Sequence, residues 1–303
     1  MEPAAAQRER LLPGLALAAL FAGAVCIALS PIWVRISDVG PTASAFWRVC
    51  LAVPLLWILC LSTKDTETEK NPRHLLATLL AGLAFAGDLA FWHWSIQYTS
   101  VANSTLLANL ASIFVTLAAW ALWRQRPTRL FLAGLGAALL GVGLLVRASL
   151  DFSPTALLGD ALGVVTAMFY AWYLLSVKGL RDRGAATLRL MAVTTTITAV
   201  ALLPVAIASA HWSGEALVPQ SLGGWLKLLG LAWISHAGGQ GLIAYALAHL
   251  PAPFSAVGLL LQPVIAAGFA WLLLAEPLSA LQCLGGAVVL SGIYLAHRGR
   301  TSA

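Results

Sequence analysis

One aspartate in this chain sits where an aspartate is expensive. The stretch AGDLAFWHWSIQYTS carries Asp88, Trp92, His93 and Trp94 inside a long apolar run. The other carboxylates fall in hydrophilic breaks, tails or the ends of apolar runs. Counted from His74, Asp88 lies about 21 Å into a helix rising ~1.5 Å per residue. An ionised aspartate at that depth costs about 2.5–3.5 kcal/mol on an insertion scale. It must therefore face a cavity, find a partner or hold a proton. Residues 88, 92, 95 and 99 share one helical face, so Asp88, Trp92, Ser95 and Thr99 read as a cavity wall. His93 and Gln97 lie on the adjacent face. The structural alternative is that Asp88 satisfies a buried Arg48.

Other polar residues interrupt apolar runs in the same way. His236 and Gln240 are four apart on one face, across Gly238-Gly239. Asn109 and Gln262 are amides in lipid, able to bridge helices or to bind substrate. Thr166, Tyr170 and Tyr173 share a face that could pack or line a cavity. Arg48 could snorkel outward, pair with Asp88 or receive a substrate carboxylate. The candidate substrate-binding set is therefore Asp88, Trp92, His236, Gln240, Asn109, Gln262, Tyr170 and Arg48. Trp33, Trp57, Trp123, Trp212 and Trp225 fall near run ends and suit an interfacial belt. Trp92, Trp94, Trp172 and Trp233 lie deeper and suit an aromatic-walled cavity. Cys26, Cys50, Cys60 and Cys283 show no metal spacing and read as small packing residues. No metal or cofactor is expected.

The elements that position these residues follow from composition. The chain has 303 residues, 60% of them hydrophobic and 10% charged. A soluble domain carries roughly 25% charged residues, so this is a polytopic membrane protein. The gaps between charges are continuously apolar and long enough for helices of about 20 residues. Alternating strands of a barrel are excluded on the same ground. Pro, Gly and charged breaks divide the chain into ten spans, at about 11–34, 41–62, 74–97, 101–123, 129–147, 156–177, 185–209, 222–248, 253–274 and 278–297. The first apolar run resembles a signal peptide but is long, lacks a clean cleavage site and is needed as a span.

An even count of spans puts both termini on one side, and lysine and arginine select which. Arg8, Arg10, Lys64, Lys70, Arg73, Arg124, Arg126, Arg129, Lys178, Arg181, Arg183, Arg189, Arg298 and Arg300 fall on the terminal side. Arg35, Arg147 and Lys227 fall on the other. Both termini are expected in the cytoplasm. The net charge of +6 reflects this bias and implies no nucleic-acid partner.

The two halves resemble each other at an offset of about 151 residues. Ala119-Trp120 falls on Ala270-Trp271, Gly134 on Gly285, Gly141 on Gly292 and Gly87 on Gly238. Five spans per half make the repeat inverted. Such repeats place a substrate site near the bilayer midplane, and glycine-interrupted helices in matching positions point to it. Gly87 and Gly238-Gly239 are the expected interruptions. The domains are expected at 1–149 and 150–303.

Glu276-Pro277-Leu278-Ser279 followed by Gly285 and Gly292, with Gln262-Pro263-Val264, carries a further resemblance. In the first half Phe46-Trp47-Arg48, Tyr98-Thr99, Gly134 and Gly141 take part. Together these resemble the EamA branch of the drug/metabolite transporter superfamily. Arg124-Gln125-Arg126 stands where the second half has Glu276, and Ser112 where it has Pro263, which puts the local turn geometry in doubt. The resemblance implies an all-α carrier of ten transmembrane helices in a cell's inner (plasma) membrane, exporting small metabolites, often amino acids.

The expected function is export by alternating access, with aromatic or large neutral amino acids as substrates. Asp88 or His236 would carry a proton if transport is coupled. An exporter of drugs or lipophilic cations is an alternative, since an acid among aromatic walls suits a cation. A nucleotide-sugar or phosphorylated-metabolite carrier would want several basic residues in the pathway, and only Arg48 qualifies. An intramembrane enzyme would need an assembled nucleophile, base or metal cluster. The chain has no HExxH, no Walker A sequence and no paired intramembrane aspartates.

Overall fold

In lipid a backbone has no water to bond, so each apolar run must close its own hydrogen bonds as a helix. The computed structural model describes residues 3–63, 72–99, 101–124, 126–146, 154–275 and 277–299. Among them every regular element is helical, with no strand. Gln125, Arg147 and Glu276 lie outside the described residues, as do Lys64, Lys70 and Arg300.

The first half runs α1 (Pro3–Ala28), α2 (Ser30–Arg35), α3 (Pro41–Cys50), α4 (Ala52–Ser62), α5 (Pro72–Tyr98), α6 (Val101–Ala108), α7 (Ala111–Trp123) and α8 (Arg129–Val146). The second runs α9 (Pro154–Asp182), α10 (Thr187–Ser213), α11 (Leu222–Gly230), a π-helical segment Leu231–Gln240, α12 (Gly241–Leu247), α13 (Ala252–Gly258), α14 (Leu261–Leu274) and α15 (Ala280–Arg298). Among the described residues, 8 helical stretches are long and apolar enough to cross a membrane, and the apolar helix Arg129–Leu145 is shorter.

Many large apolar side chains face outward, and many small ones are buried beside large ones such as Leu20 and Phe254. Leu61, Leu122, Leu140, Val200 and Leu272 are exposed, while Ala16, Ala24, Ala81, Ala84, Ala138 and Ala232 are fully buried. Lipid tails are as apolar as leucine, so close backbone approach is what holds such helices together. The α8–α15 pair is the clearest case. A Cβ on Gly134 would lie 2.4 Å from the Ala296 nitrogen, and one on Gly292 would lie 2.4 Å from the Ala138 nitrogen.

Of the two glycine positions singled out, Gly238-Gly239 falls in a departure from regular α-helix and Gly87 does not. α5 is unbroken through Gly87, whose missing Cβ makes room for the Phe169 ring. Gly238 and Gly239 sit inside the π segment, and Gly239 packs on Ile27 and Cys26 of α1. The interruptions separate α1 from α2, α3 from α4, α6 from α7 and α13 from α14. At the α6–α7 break the Asn109 amide donates to the Thr105 carbonyl at 2.8 Å and the Ser112 hydroxyl to the Asn109 carbonyl at 2.9 Å. These side chains compete with the regular ladder. At the α13–α14 break Pro263 has no N–H to offer, and the Leu259 carbonyl accepts from the Gln262 nitrogen instead, at 3.0 Å.

The turns that follow α7 and α14 also match. Arg124 (φ 56°) and Ala275 (φ 55°) are both left-handed C-caps, donating to the carbonyls of Ala119 and Ala270. The two caps share this conformation despite their different residue types.

Candidate functional site

The interruptions converge on a cavity of about 120 Å³. Where a helix breaks, its side chains leave the regular stripe and the backbone leaves space beside it. The wall takes Ser30 and Pro31 from the start of α2 and Arg48 from α3. It takes Phe85, Asp88 and Trp92 from α5, and Thr105 and Asn109 from the α6–α7 break. Thr166 and Tyr170 come from α9, Gln240 from the end of the π segment, and Gln262 and Pro263 from the start of α14.

Asp88, Trp92, Gln240, Asn109, Gln262, Tyr170 and Arg48 thus meet in one place. His236 does not join them. Its Nε2 is 2.9 Å from the Thr195 hydroxyl, and its ring lies against Phe85, 5.4 Å between centroids. Phe85 lines the cavity, so His236 stands behind the wall. The proposed stripe on α5 divides in the same way. Asp88 and Trp92 face the cavity, whereas the Ser95 hydroxyl donates to the Gly159 carbonyl at 2.7 Å and Thr99 packs on the same glycine. α9 crosses α5 there and covers the outer half of the stripe. His93 is buried with Nδ1 2.6 Å from the Leu89 carbonyl, a contact that needs the proton on Nδ1.

The electrostatics of the wall are unusual. Arg48 is 6% exposed and Asp88 9%, and each lies within reach of the other's charge. No ion pair within 4.0 Å joins them among the described residues. The Arg48 Nε, Gln240 Oε1 and Gln262 Nε2 atoms are buried with no protein partner. Tyr170 interacts with the side chains of Gln240 and Gln262. Buried polar groups without partners are costly. A ligand with an anionic and a cationic group would supply what both charges and the open amide valences lack.

Thr105, Ser30, Phe85 and Pro263 also line the cavity and were not singled out from sequence. Two signals for them exist. Ser30-Pro31 is turn chemistry inside an apolar run, and Thr105 lies one turn before Asn109.

At the bundle end near the α2–α3 loop, the two halves are clasped. Asp38 accepts from the Lys227 ammonium and the Ser221 hydroxyl, both at 2.7 Å. The Trp47 indole donates to the Leu217 carbonyl at 2.8 Å. The Lys227 and Ser221 contacts hold the Asp38 carboxyl below its ordinary value.

Comparison with known proteins agrees with this architecture. The profile of the EamA-like transporter family matches residues 14–147 and again residues 157–298. A protein of Archaeoglobus fulgidus named "Uncharacterized transporter" is 28% identical over 269 residues, 87% of this chain and 90% of its own. A Salmonella typhimurium protein named "Probable amino-acid metabolite efflux pump" is 28% identical over 231 residues, 72% of this chain and 76% of its own. A protein crystal structure superposes with a TM-score of 0.78 at 15% identity, over 95% of this chain and 99% of that one. That last likeness concerns the fold alone.

Proposed function

Because this chain belongs to the EamA-like transporter family, and is thus a multi-pass membrane transporter rather than an enzyme, we propose that it exports amino acids, aromatic or large neutral ones in particular. The reading counts ten spans by adding α8 and the continuous helical run 222–247 to the longer stretches. It treats residues 1–149 and 150–303 as two inverted five-helix repeats with both termini in the cytoplasm of a cell whose inner (plasma) membrane holds the protein. The substrate binds between the repeats, and alternating access carries it outward.

One observation carries the substrate class: an arginine and an aspartate are buried on one cavity without pairing to each other. Arg48 receives the substrate carboxylate, since a guanidinium and a carboxylate form the stronger, charge-assisted kind of hydrogen bond. Asp88 receives the ammonium. Gln240, Gln262, Asn109 and Tyr170 orient the pair, and Trp92 gives an apolar plane. The name of the Salmonella relative is consistent with amino-acid cargo. A lipophilic cation fits less well, because Arg48 shares the wall with Asp88. A phosphorylated substrate would want more than the one basic residue present in this lining.

Asp88 is also the residue of this cavity able to carry a proton in exchange. The test is uptake of labelled phenylalanine by proteoliposomes, with and without an imposed pH gradient, for the wild type, Arg48→Gln and Asp88→Asn. Saturable uptake competed by tyrosine, and lost in Arg48→Gln, is expected. Gradient-driven accumulation that disappears in Asp88→Asn assigns the coupling. Folded wild-type protein with no phenylalanine flux above empty liposomes would falsify the assignment of aromatic and large neutral amino acids.

A further inference from the structure

The cavity described above is one of two adjoining spaces. A second space of about 520 Å³ lies beside it and shares Pro31, Trp92, Thr105, Pro263 and Ala266 with it. The shared residues mark the border between the two spaces, here termed the neck, and Trp92 is the largest side chain among them. The two sides of the neck differ in chemistry. Arg48, Asp88 and the amides are on the inner side. On the outer side the wall is apolar, with Ile32, Ile96, Leu145, Ala267 and Ala270. This outer vestibule reaches helix ends at Arg35 and Gln282.

Size decides how an amino acid can occupy this arrangement. An apolar cavity of about 150 Å³ holds a single benzene molecule. The inner chamber, at about 120 Å³, is smaller than that and must also accept the carboxylate and ammonium. It has room for the head group and not for a ring as well. The vestibule is several times larger, and among the described residues its lining holds no carboxylate to receive an ammonium, with Arg35 and Gln282 at its helix-end rim.

We infer that the substrate binds head-in: its carboxylate and ammonium occupy the inner chamber, its side chain passes Trp92, and the vestibule wall around Ile96, Ala267 and Ala270 selects that side chain. This rests on the amino-acid reading above. The alanines on α14 are then specificity-determining residues. Their small size keeps open the space that a large side chain fills, and Trp92 offers a flat face to a ring passing through the neck.

The test is equilibrium binding of alanine and phenylalanine to the purified full-length protein in lipid nanodiscs, for wild type, Ala267→Phe and Ala270→Leu. Filling the vestibule should weaken phenylalanine about tenfold or more, the range a filled hydrophobic pocket discriminates, and leave alanine within about twofold. Should Ala267→Phe fail to fold, the smaller Ala270→Leu change reads the same effect. Alanine and phenylalanine weakening together, or neither changing, overturns the head-in arrangement. So does wild type that binds alanine and excludes phenylalanine, an outcome that leaves the amino-acid reading standing. Wild type that binds no amino acid overturns the amino-acid reading itself, and the inference with it.

Discussion

The last three spans of each half share a skeleton and differ in chemistry, whereas α1–α2 and α3–α4 are broken where α9 and α10 run unbroken. At the common offset, α5 corresponds to the run 222–247, α6 to α13, α7 to α14 and α8 to α15. The left-handed caps Arg124 and Ala275 are mates. Yet the polar cavity residues of these spans have apolar or small mates. Asp88 faces Gly239, Trp92 faces Ile243, Thr105 faces Ala256 and Asn109 faces Leu260. From the second half, Gln240 maps to Leu89 and Gln262 to Ala111. His236 maps to Phe85, and these two mates touch each other across the bundle. Backbone packing tolerates only small residues at a close crossing, so it is retained in both copies. A binding site must match one asymmetric ligand, so its polar groups need appear in one copy only.

The comparison breaks most visibly at the helix crossings. Gly141→Val and Gly292→Val add side chains where a Cβ would already meet Val289 N at 2.6 Å and Ala138 N at 2.4 Å. Each should cost about 3 kcal/mol or more through overpacking, and by similar amounts because the skeleton is shared. Thermal unfolding in detergent measures both. A loss confined to one of them would mean that the halves do not share the crossing equally.

The chemical half of the comparison is sharpened by Arg48. Removing one member of a charge-assisted contact costs about 1.5–3 kcal/mol, so Arg48→Gln should weaken amino-acid binding roughly tenfold to a hundredfold. The ligand-free protein should change its melting temperature little, because one buried charge is removed while Asp88 loses a neighbouring opposite charge. Binding unchanged with stability lowered would make Arg48 a structural residue.

A smaller effect tests the matched turns. Arg124→Gly and Ala275→Gly should each stabilise by about 1 kcal/mol, since glycine adopts a positive φ without the steric cost of a side chain. The same gain at both sites is the expected outcome of unfolding measurements.

The smallest effect is at the clasp between the halves, where Asp38 meets Lys227 and Ser221. The carboxyl of Asp38 is held below its ordinary value of 3.8 by Lys227 and Ser221. Its contribution is therefore fully present above that value and is lost as pH falls through the lowered one. Melting temperature followed from pH 6 to pH 2 should show a small acid-side decline that is reduced in Lys227→Gln. Identical profiles for the two proteins would remove the clasp as a source of pH dependence.

Much of the candidate cavity lining was legible because lipid makes polar residues conspicuous. Asp88, Arg48, Asn109, Gln240 and Gln262 stand out in apolar runs on cost alone. His236 carried the same signal and does not reach the cavity, because a polar side chain can also bond behind a wall to a threonine such as Thr195. The glycine signal at Gly87 misled for a related reason. A glycine in a membrane helix marks either a break or a close neighbour, and the sequence around it reads alike in both cases. Here the neighbour is Phe169.

Composition and charge alone determined that this is a helical membrane protein, because 10% charged residues cannot clothe a soluble surface and a chain in lipid must satisfy its own backbone. The offset between the halves was likewise written in the small residues that close packing demands. Tertiary structure alone decided where the helices break, that Arg48 and Asp88 share a cavity without pairing, and that Trp92 stands between a polar chamber and an apolar one. Those facts depend on distances between helices far apart in sequence, which no local spacing encodes.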